Sequence, residues 1–145
     1  MLLCDVNVLV YAHKRGAPRH EEYRGWLERL LSGDAAYGAS DLVLSGFVRV
    51  VTLARLWDRP STLAEALGFA DAVRGQPHAV RVEPGERHWE IFVRFCRQAE
   101  ARGNLVADAY LAALAVESGS DWITTDRDYA RFAGLRWRHP LDPAG

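Results

Sequence analysis

The apolar opening of this chain is interrupted by an acid, and that interruption constrains the fold more than any other feature. Leu2, Leu3 and Cys4 form a short apolar run that breaks at Asp5; after Val6 and Asn7, apolar character resumes through Val8, Leu9, Val10, Tyr11 and Ala12. A short β-prone run without alternation suits a strand buried on both faces, as in a parallel sheet between helices. An ionisable side chain at the end of such a strand is costly unless something pairs with it. Open α/β sheets also build their sites at the carboxyl ends of strands. A helix N-cap explains an Asp or Asn at a strand-to-helix junction equally well. On this stretch alone, a cap and a catalytic or metal-binding role both stay open.

Beyond the opening, helical and strand patterns alternate. Pro18 to Leu31 carries Tyr23, Trp26, Leu27, Leu30 and Leu31 at helical spacing. Ala35 to Ala39 is a weak strand. Ser40 or Asp41 can cap a helix predicted to reach about Trp57, and Thr62 with Glu65 fits a capping box opening a helix to about Val73. Ala79 to Val82 reads as a strand. Glu86 to Ala101 reads as a helix with Trp89, Phe92, Val93 and Cys96 inward. Leu105 to Glu117 is an Ala- and Leu-rich helix, Trp122 to Thr124 a strand, Asp126 to Phe132 a short helix and Leu135 to Trp137 an edge strand. The tail from Asp142 to Gly145 is expected to fray. The alternation predicts an α/β fold, a mostly parallel sheet between helices, built as one domain over residues 1–145.

Composition narrows the function. The net charge of −1 provides no global basic field, so a polyanion must be held by a local patch or through a metal. Of the 18 basic residues, 17 are Arg and only Lys14 is Lys, a bias toward forked contacts with phosphate or carboxylate that a GC-rich genome also produces. Cys4 and Cys96 fit no metal spacing and point to a reducing, cytoplasmic setting. With Asp5 and Asn7 inside it and no basic leader, the N-terminal run is neither a signal peptide nor a membrane span. His13, His20, His78, His88 and His139 form no i, i+4 ligand pair, which argues against zinc and leaves them surface or partly buried roles.

Three acidic positions occur where a side chain should face inward or into a strand-end crevice. Asp5 ends the first strand, Asp108 sits one turn before Ala112 on a face of small residues, and Asp126 follows the strand Trp122–Thr124, with Asp128 two residues on. Each has a plain structural explanation, as a cap or a first-turn acid favoured by the helix dipole. Together they share a difficulty. Parallel strands deliver their carboxyl ends to one edge, so Asp5 and Asp126 become neighbours that Asp108 can face, and clustered carboxylates repel unless a cation or shared proton intervenes. Hard divalent cations suit such oxygen donors.

In their order and spacing, four segments resemble the PIN-domain endoribonucleases of the VapC toxin type, from toxin–antitoxin pairs. They are Asp5-Val6-Asn7-Val8-Leu9-Val10-Tyr11-Ala12, Phe47-Val48-Arg49-Val50-Val51-Thr52, Gly103-Asn104-Leu105-Val106-Ala107-Asp108-Ala109 and Thr124-Thr125-Asp126-Arg127-Asp128-Tyr129. The resemblance implies a three-layer α/β/α sandwich, Mg²⁺ or Mn²⁺ dependence, cleavage of RNA, homodimerisation and inhibition by a small antitoxin. On it, Asp5, Asp108 and Asp126 are the catalytic acids and, with Asp128, the metal holders. Asn7 and Thr124 orient neighbours by hydrogen bonds, and Arg15, Arg49, Arg127 and Arg131 are candidates to meet RNA phosphates. One departure stands out: many family members carry a Glu three residues before the position of Arg49, where this chain has Gly46. A PIN-like binding module that has lost activity is therefore a competing expectation. A phosphatase with an aspartyl nucleophile fits less well, because Asn7 stands where a second acid is wanted.

Overall fold

The computed structural model describes residues 1–143. Strands β1 (Leu2–Cys4), β2 (Tyr37–Ala39), β3 (Ala79–Arg81), β4 (Asp121–Ile123) and β5 (Trp137–Arg138) form one sheet in the order β3-β2-β1-β4-β5, with every pairing parallel. Between them run α1 (Val6–His13), α2 (His20–Ser32), α3 (Asp41–Val51), α4 (Leu63–Arg74), α5 (His88–Ala99) and α6 (Asn104–Glu117). The steps β1 to β2 and β2 to β3 move one way across the sheet, and β3 to β4 returns past β1. Right-handed crossovers therefore place α1 to α4 on one face and α5 with α6 on the other. Packing follows that division: α1 lies against α2 and α3, α3 against α4, and α5 against α6. The result is a three-layer α/β/α sandwich with a parallel sheet.

Strand order determines where a site can form. The chain leaves β1 toward β2 on one side and meets β4 on the other, so the topological switch point is the gap between the carboxyl ends of β1 and β4. Asp5 and Thr124 occupy those two ends. The strands behind them are sealed: Leu3, Trp122 and Ile123 have almost no exposed surface. The indole Nε1 of Trp122 is buried without a hydrogen-bond partner among the described residues.

Gly38 shows how tightly the layers close. A Cβ built there stands 2.9 Å from a methyl of Val82 and 3.0 Å from a methyl of Leu3. Gly38→Ala should therefore destabilise the fold by about 1–3 kcal/mol, the usual cost of overpacking a core. Chemical denaturation measures this; an unchanged midpoint would show that the layers give way freely.

Several boundaries differ from the sequence expectation for identifiable reasons. The helix expected to reach Trp57 ends at Val51, where the Thr52 hydroxyl donates to the Val48 carbonyl (2.8 Å) and the Ser61 amide to that of Val51 (2.9 Å). Trp57 instead folds back and donates its Nε1–H to the Val50 carbonyl at 2.9 Å. In α5 the most buried positions are His88, Ile91 and Phe95, with Phe92 and Cys96 only partly covered and Trp89 68% exposed. A buried histidine shifts this stripe: His88 is satisfied by the Tyr110 carbonyl at 3.0 Å and packs edge-on against the Tyr110 ring. His20 is likewise buried, its Nδ1 2.9 Å from the Tyr11 carbonyl, so two of the five histidines are interior rather than surface groups. Asp142 is not frayed, since both its oxygens meet the Arg127 guanidinium at 3.1 and 3.3 Å. The expectation for Ala144 and Gly145 lies outside the described residues.

Candidate active site

Asp5 ends β1 and opens α1, so both explanations of this residue apply. As the N-cap it accepts from the Val6 amide through Oδ1 at 2.7 Å. Its Oδ2 accepts from the Thr124 hydroxyl at 2.8 Å and from Asn7 Nδ2 at 3.2 Å. The Asp5 amide donates to the Ile123 carbonyl at 2.8 Å, fastening the two strand ends together. Asn7 also reaches across the gap, its Oδ1 accepting from the Thr125 amide at 3.2 Å. Thr124 Oγ1 then accepts from the Asp126 amide at 3.0 Å, and Asp126 Oδ1 from the Asp128 amide at 2.9 Å. One unbroken hydrogen-bonded path therefore runs from Asp5 through Thr124 to Asp126.

Asp108 enters from the other face. It lies one turn into α6, above the fully buried Ala112 and Ala115. Tyr129, from the short 3₁₀ helix Arg127–Arg131, donates its hydroxyl to Asp108 Oδ1 at 3.2 Å. Sequence reasoning assigned Tyr129 no role. The available signal was an aromatic residue three positions after a capping acid, too common a pattern to single out.

The site carries uncompensated negative charge. Asp5 is only 6% exposed, and among the described residues neither it nor Asp108 nor Asp126 forms an ion pair with Lys or Arg. Burial, with Asp108 and Asp126 adding to it, pushes the Asp5 carboxyl up to about 6 despite the hydrogen bonds from Thr124 and Val6 that oppose the shift. Asp108 is raised too, chiefly by burial and also by Asp126 and Asp128, against the Tyr129 hydrogen bond and Arg131. Burial, with Asp5, Asp108 and Asp126 adding to it, pushes the Tyr129 phenol up, so it remains a donor.

The other candidates are placed less centrally. Asp128 is mostly exposed and lies 3.8 Å from Arg131, whose Nε also donates to the Asp128 carbonyl at 3.0 Å. Arg127 is engaged with Asp142. Arg49 is exposed on α3, one turn beyond Gly46, and Gly46 borders the site: a Cβ there would stand 3.0 Å from a methyl of Val6, the residue after Asp5. Arg15 lies past the far end of α1, about 12 Å of helix away at 1.5 Å per residue. There it lines a separate groove of about 1080 Å³ between the end of α1, α2 and α4. Leu27, Leu31, Trp57 and Phe69 line that groove together with charged residues such as Arg24, Glu28 and Glu65, and Lys14 sits 4.9 Å over the Trp57 ring while donating to the Arg59 carbonyl at 2.8 Å.

Among the described residues, no three His, Cys, Asp or Glu side chains form a ready-made metal cage. The donor set is nevertheless all oxygen, carboxylate and hydroxyl, grouped around a buried acid that pairs with no Lys or Arg among the described residues. Mg²⁺ commonly binds through one or two carboxylates and completes its shell with water. These residues fit a hydrated hard cation and do not fit zinc.

Comparison with known proteins agrees with this geometry. The PIN domain family model matches residues 2–135. "Ribonuclease VapC43" of Mycobacterium tuberculosis is 49% identical over 142 residues, covering 98% of this chain and 97% of that protein. "Ribonuclease VapC25" of the same organism is 41% identical, covering 97% and 99%. Among solved structures, VapBC2 from Rickettsia felis bound to a promoter DNA fragment shares the fold with a TM-score of 0.66 at 16% identity, covering 94% of this chain and 96% of its own. The chain therefore belongs to the PIN-domain family, in the branch that contains the VapC ribonucleases.

Proposed function

We propose that this protein is a metal-dependent endoribonuclease, the toxin of a toxin–antitoxin pair, hydrolysing phosphodiester bonds in RNA at the gap between β1 and β4. The observation that carries this reading is Asp5, a buried carboxylate tied to Thr124 at a topological switch point, with Asp108 and Asp126 close enough to raise its proton affinity. The relatives named ribonucleases, matched over nearly their whole length, support the reaction class.

Asp5, Asp108 and Asp126, with Asp128 beside them, would hold Mg²⁺ or Mn²⁺ directly or through water. The bound ion would supply an activated water and offset charge on the phosphoryl oxygens. The chain's own contribution is preorganisation. The Thr124 hydroxyl and the Val6 amide fix the plane of the Asp5 carboxylate, and Asn7 braces the loop that carries Asp126. Arg131, exposed and acting on Asp108, and Arg49, exposed on α3 one turn beyond Gly46, are the arginines best placed to meet RNA phosphates, a contact that positions substrate without reading its sequence.

The same proposal includes a cognate antitoxin, a homodimer and a cytoplasmic setting. The groove between α1, α2 and α4, apolar in part and rimmed by charge, offers an antitoxin segment a seat, and exposed Trp89 is an aromatic anchor for a second copy. No helix among the described residues is long and apolar enough to cross a membrane.

The test is metal linkage together with cleavage. Millimolar Mn²⁺ should raise the melting temperature of the wild type, since an ion at 100 times its dissociation constant stabilises by about 2.7 kcal/mol. RNA should be cut only when the ion is present. A melting temperature indifferent to Mg²⁺ and Mn²⁺, with a broad RNA panel left intact, refutes the proposal.

A further inference from the structure

We propose that Tyr129 is a positioning residue that sets the orientation of the Asp108 carboxylate for the metal, so that its hydroxyl, rather than its ring, governs how strongly the site binds a divalent cation. The inference rests on the reading of Asp108 as a metal holder given above.

The Tyr129 hydroxyl is the only side-chain hydrogen-bond partner of Asp108 among the described residues, at 3.2 Å. A carboxylate rotates about its last single bond unless something holds it. Here one donor occupies Oδ1, leaving the remaining lone pairs, including both on Oδ2, to a ligand. The donor itself is buried and closely packed. The Tyr129 ring is 2% exposed and wedged between Trp122 and Phe132, with centroids 5.6 and 5.8 Å away. Its backbone is set by the loop that carries Asp126, because the Asp126 carboxylate caps the 3₁₀ helix from which Tyr129 projects. One rigid side chain thus couples the acid after β4 to the acid on α6.

Chemically, a phenol differs from the usual charged partner of a half-buried carboxylate such as Asp108. An arginine or lysine in this position would neutralise Asp108 and compete with an incoming cation. A neutral hydroxyl orients the carboxylate and leaves its full charge available. Partners of this kind typically change metal affinity or activity by about 10–100-fold when removed.

Tyr129→Phe keeps the ring and its packing and deletes only the hydroxyl. Free Mn²⁺, followed by electron paramagnetic resonance during titration of the purified protein, gives the dissociation constant without reference to catalysis. The variant should bind Mn²⁺ about 10-fold more weakly, while its metal-free melting temperature and circular dichroism stay close to wild type. At a fixed, subsaturating Mn²⁺ concentration, kcat on RNA should fall with KM little changed. Equal Mn²⁺ affinity in wild type and Tyr129→Phe overturns the positioning role and leaves the metal reading intact. Wild type that binds no Mn²⁺ overturns both.

Discussion

Asp108→Asn should abolish RNA cleavage while leaving the protein folded. The substitution keeps the shape and an oxygen to accept the Tyr129 hydroxyl, and removes the charge a divalent cation requires. The loss should be at least about 100-fold, the upper end of what removing a mere supporting partner costs. Metal-free stability should stay level or rise, because burial and Asp126 already disfavour the ionised form of Asp108. In cells, expressing the wild type alone should arrest growth, and expressing the variant should not. This result also decides between the nuclease and a PIN-like binding module without activity. A binding module predicts two equally harmless proteins with equal, negligible cleavage.

The second large effect concerns pH. The Asp5 carboxyl is pushed from 3.8 to about 6 in the folded protein, so the folded state holds this proton more tightly than the unfolded chain does. Its contribution to stability is therefore greatest below 3.8 and is lost as pH rises through about 6. Across that window the loss is on the order of 3 kcal/mol, since each tenfold difference in proton affinity is worth about 1.36 kcal/mol. Other carboxyls slope the opposite way: capping-box hydrogen bonds to Thr62 hold Glu65 low, and Arg127 holds Asp142 low. The informative quantity is thus the difference between wild type and Asp5→Asn in metal-free buffer. The amide of the variant weakens the hydrogen bonds to Thr124 and Asn7 by an amount that does not vary with pH. The stability of wild type relative to Asp5→Asn should therefore fall as pH increases from 4 to 7, by the missing Asp5 slope. Parallel curves would show that Asp5 ionises in the folded protein as freely as in the unfolded chain. Saturating Mn²⁺ should remove the slope from the wild type, since a bound cation stabilises the ionised form.

Gly46 fits this electrostatic picture. The position borders Val6, beside an acid whose charge is already disfavoured by burial and by two neighbouring carboxylates. A Glu here, as in many PIN-domain proteins, would add a further charge to the cluster. On the proposed reading, its absence leaves Asp5, Asp108 and Asp126 to carry the site, and makes the orientation of each carboxylate matter more.

Much of the fold could be read from local pattern. The burial of β1 and β4, the Thr62–Glu65 capping box and the Ala-rich face of α6 all follow from residue type and spacing within a dozen positions, and the structure reproduces them. The acids at strand ends were legible for a related reason: a parallel sheet gathers the carboxyl ends of its strands along one edge, and the pairing of β1 with β4 then sets the ends that carry Asp5 and Asp126 side by side. Asp108 stands out by its place on the small-residue face of α6, and the resemblance to the family motifs matches it as a third acid.

What local pattern could not reach depends on contacts between distant segments. The buried lane of α5 is set by His88, which counts as polar until the Tyr110 carbonyl, 22 residues away, satisfies its ring. Arg127 and Asp142 join only because β5 returns the tail beside the 3₁₀ helix. The hydroxyl of Tyr129 meets Asp108 only once α6 and the loop after β4 pack on the same side of the sheet. A sequence determines the hydrophobic and capping pattern of each element because those energies are local. Which polar groups end up facing one another is decided by the handedness of the crossovers and the order of the strands, which bring residues far apart in the chain within hydrogen-bonding reach.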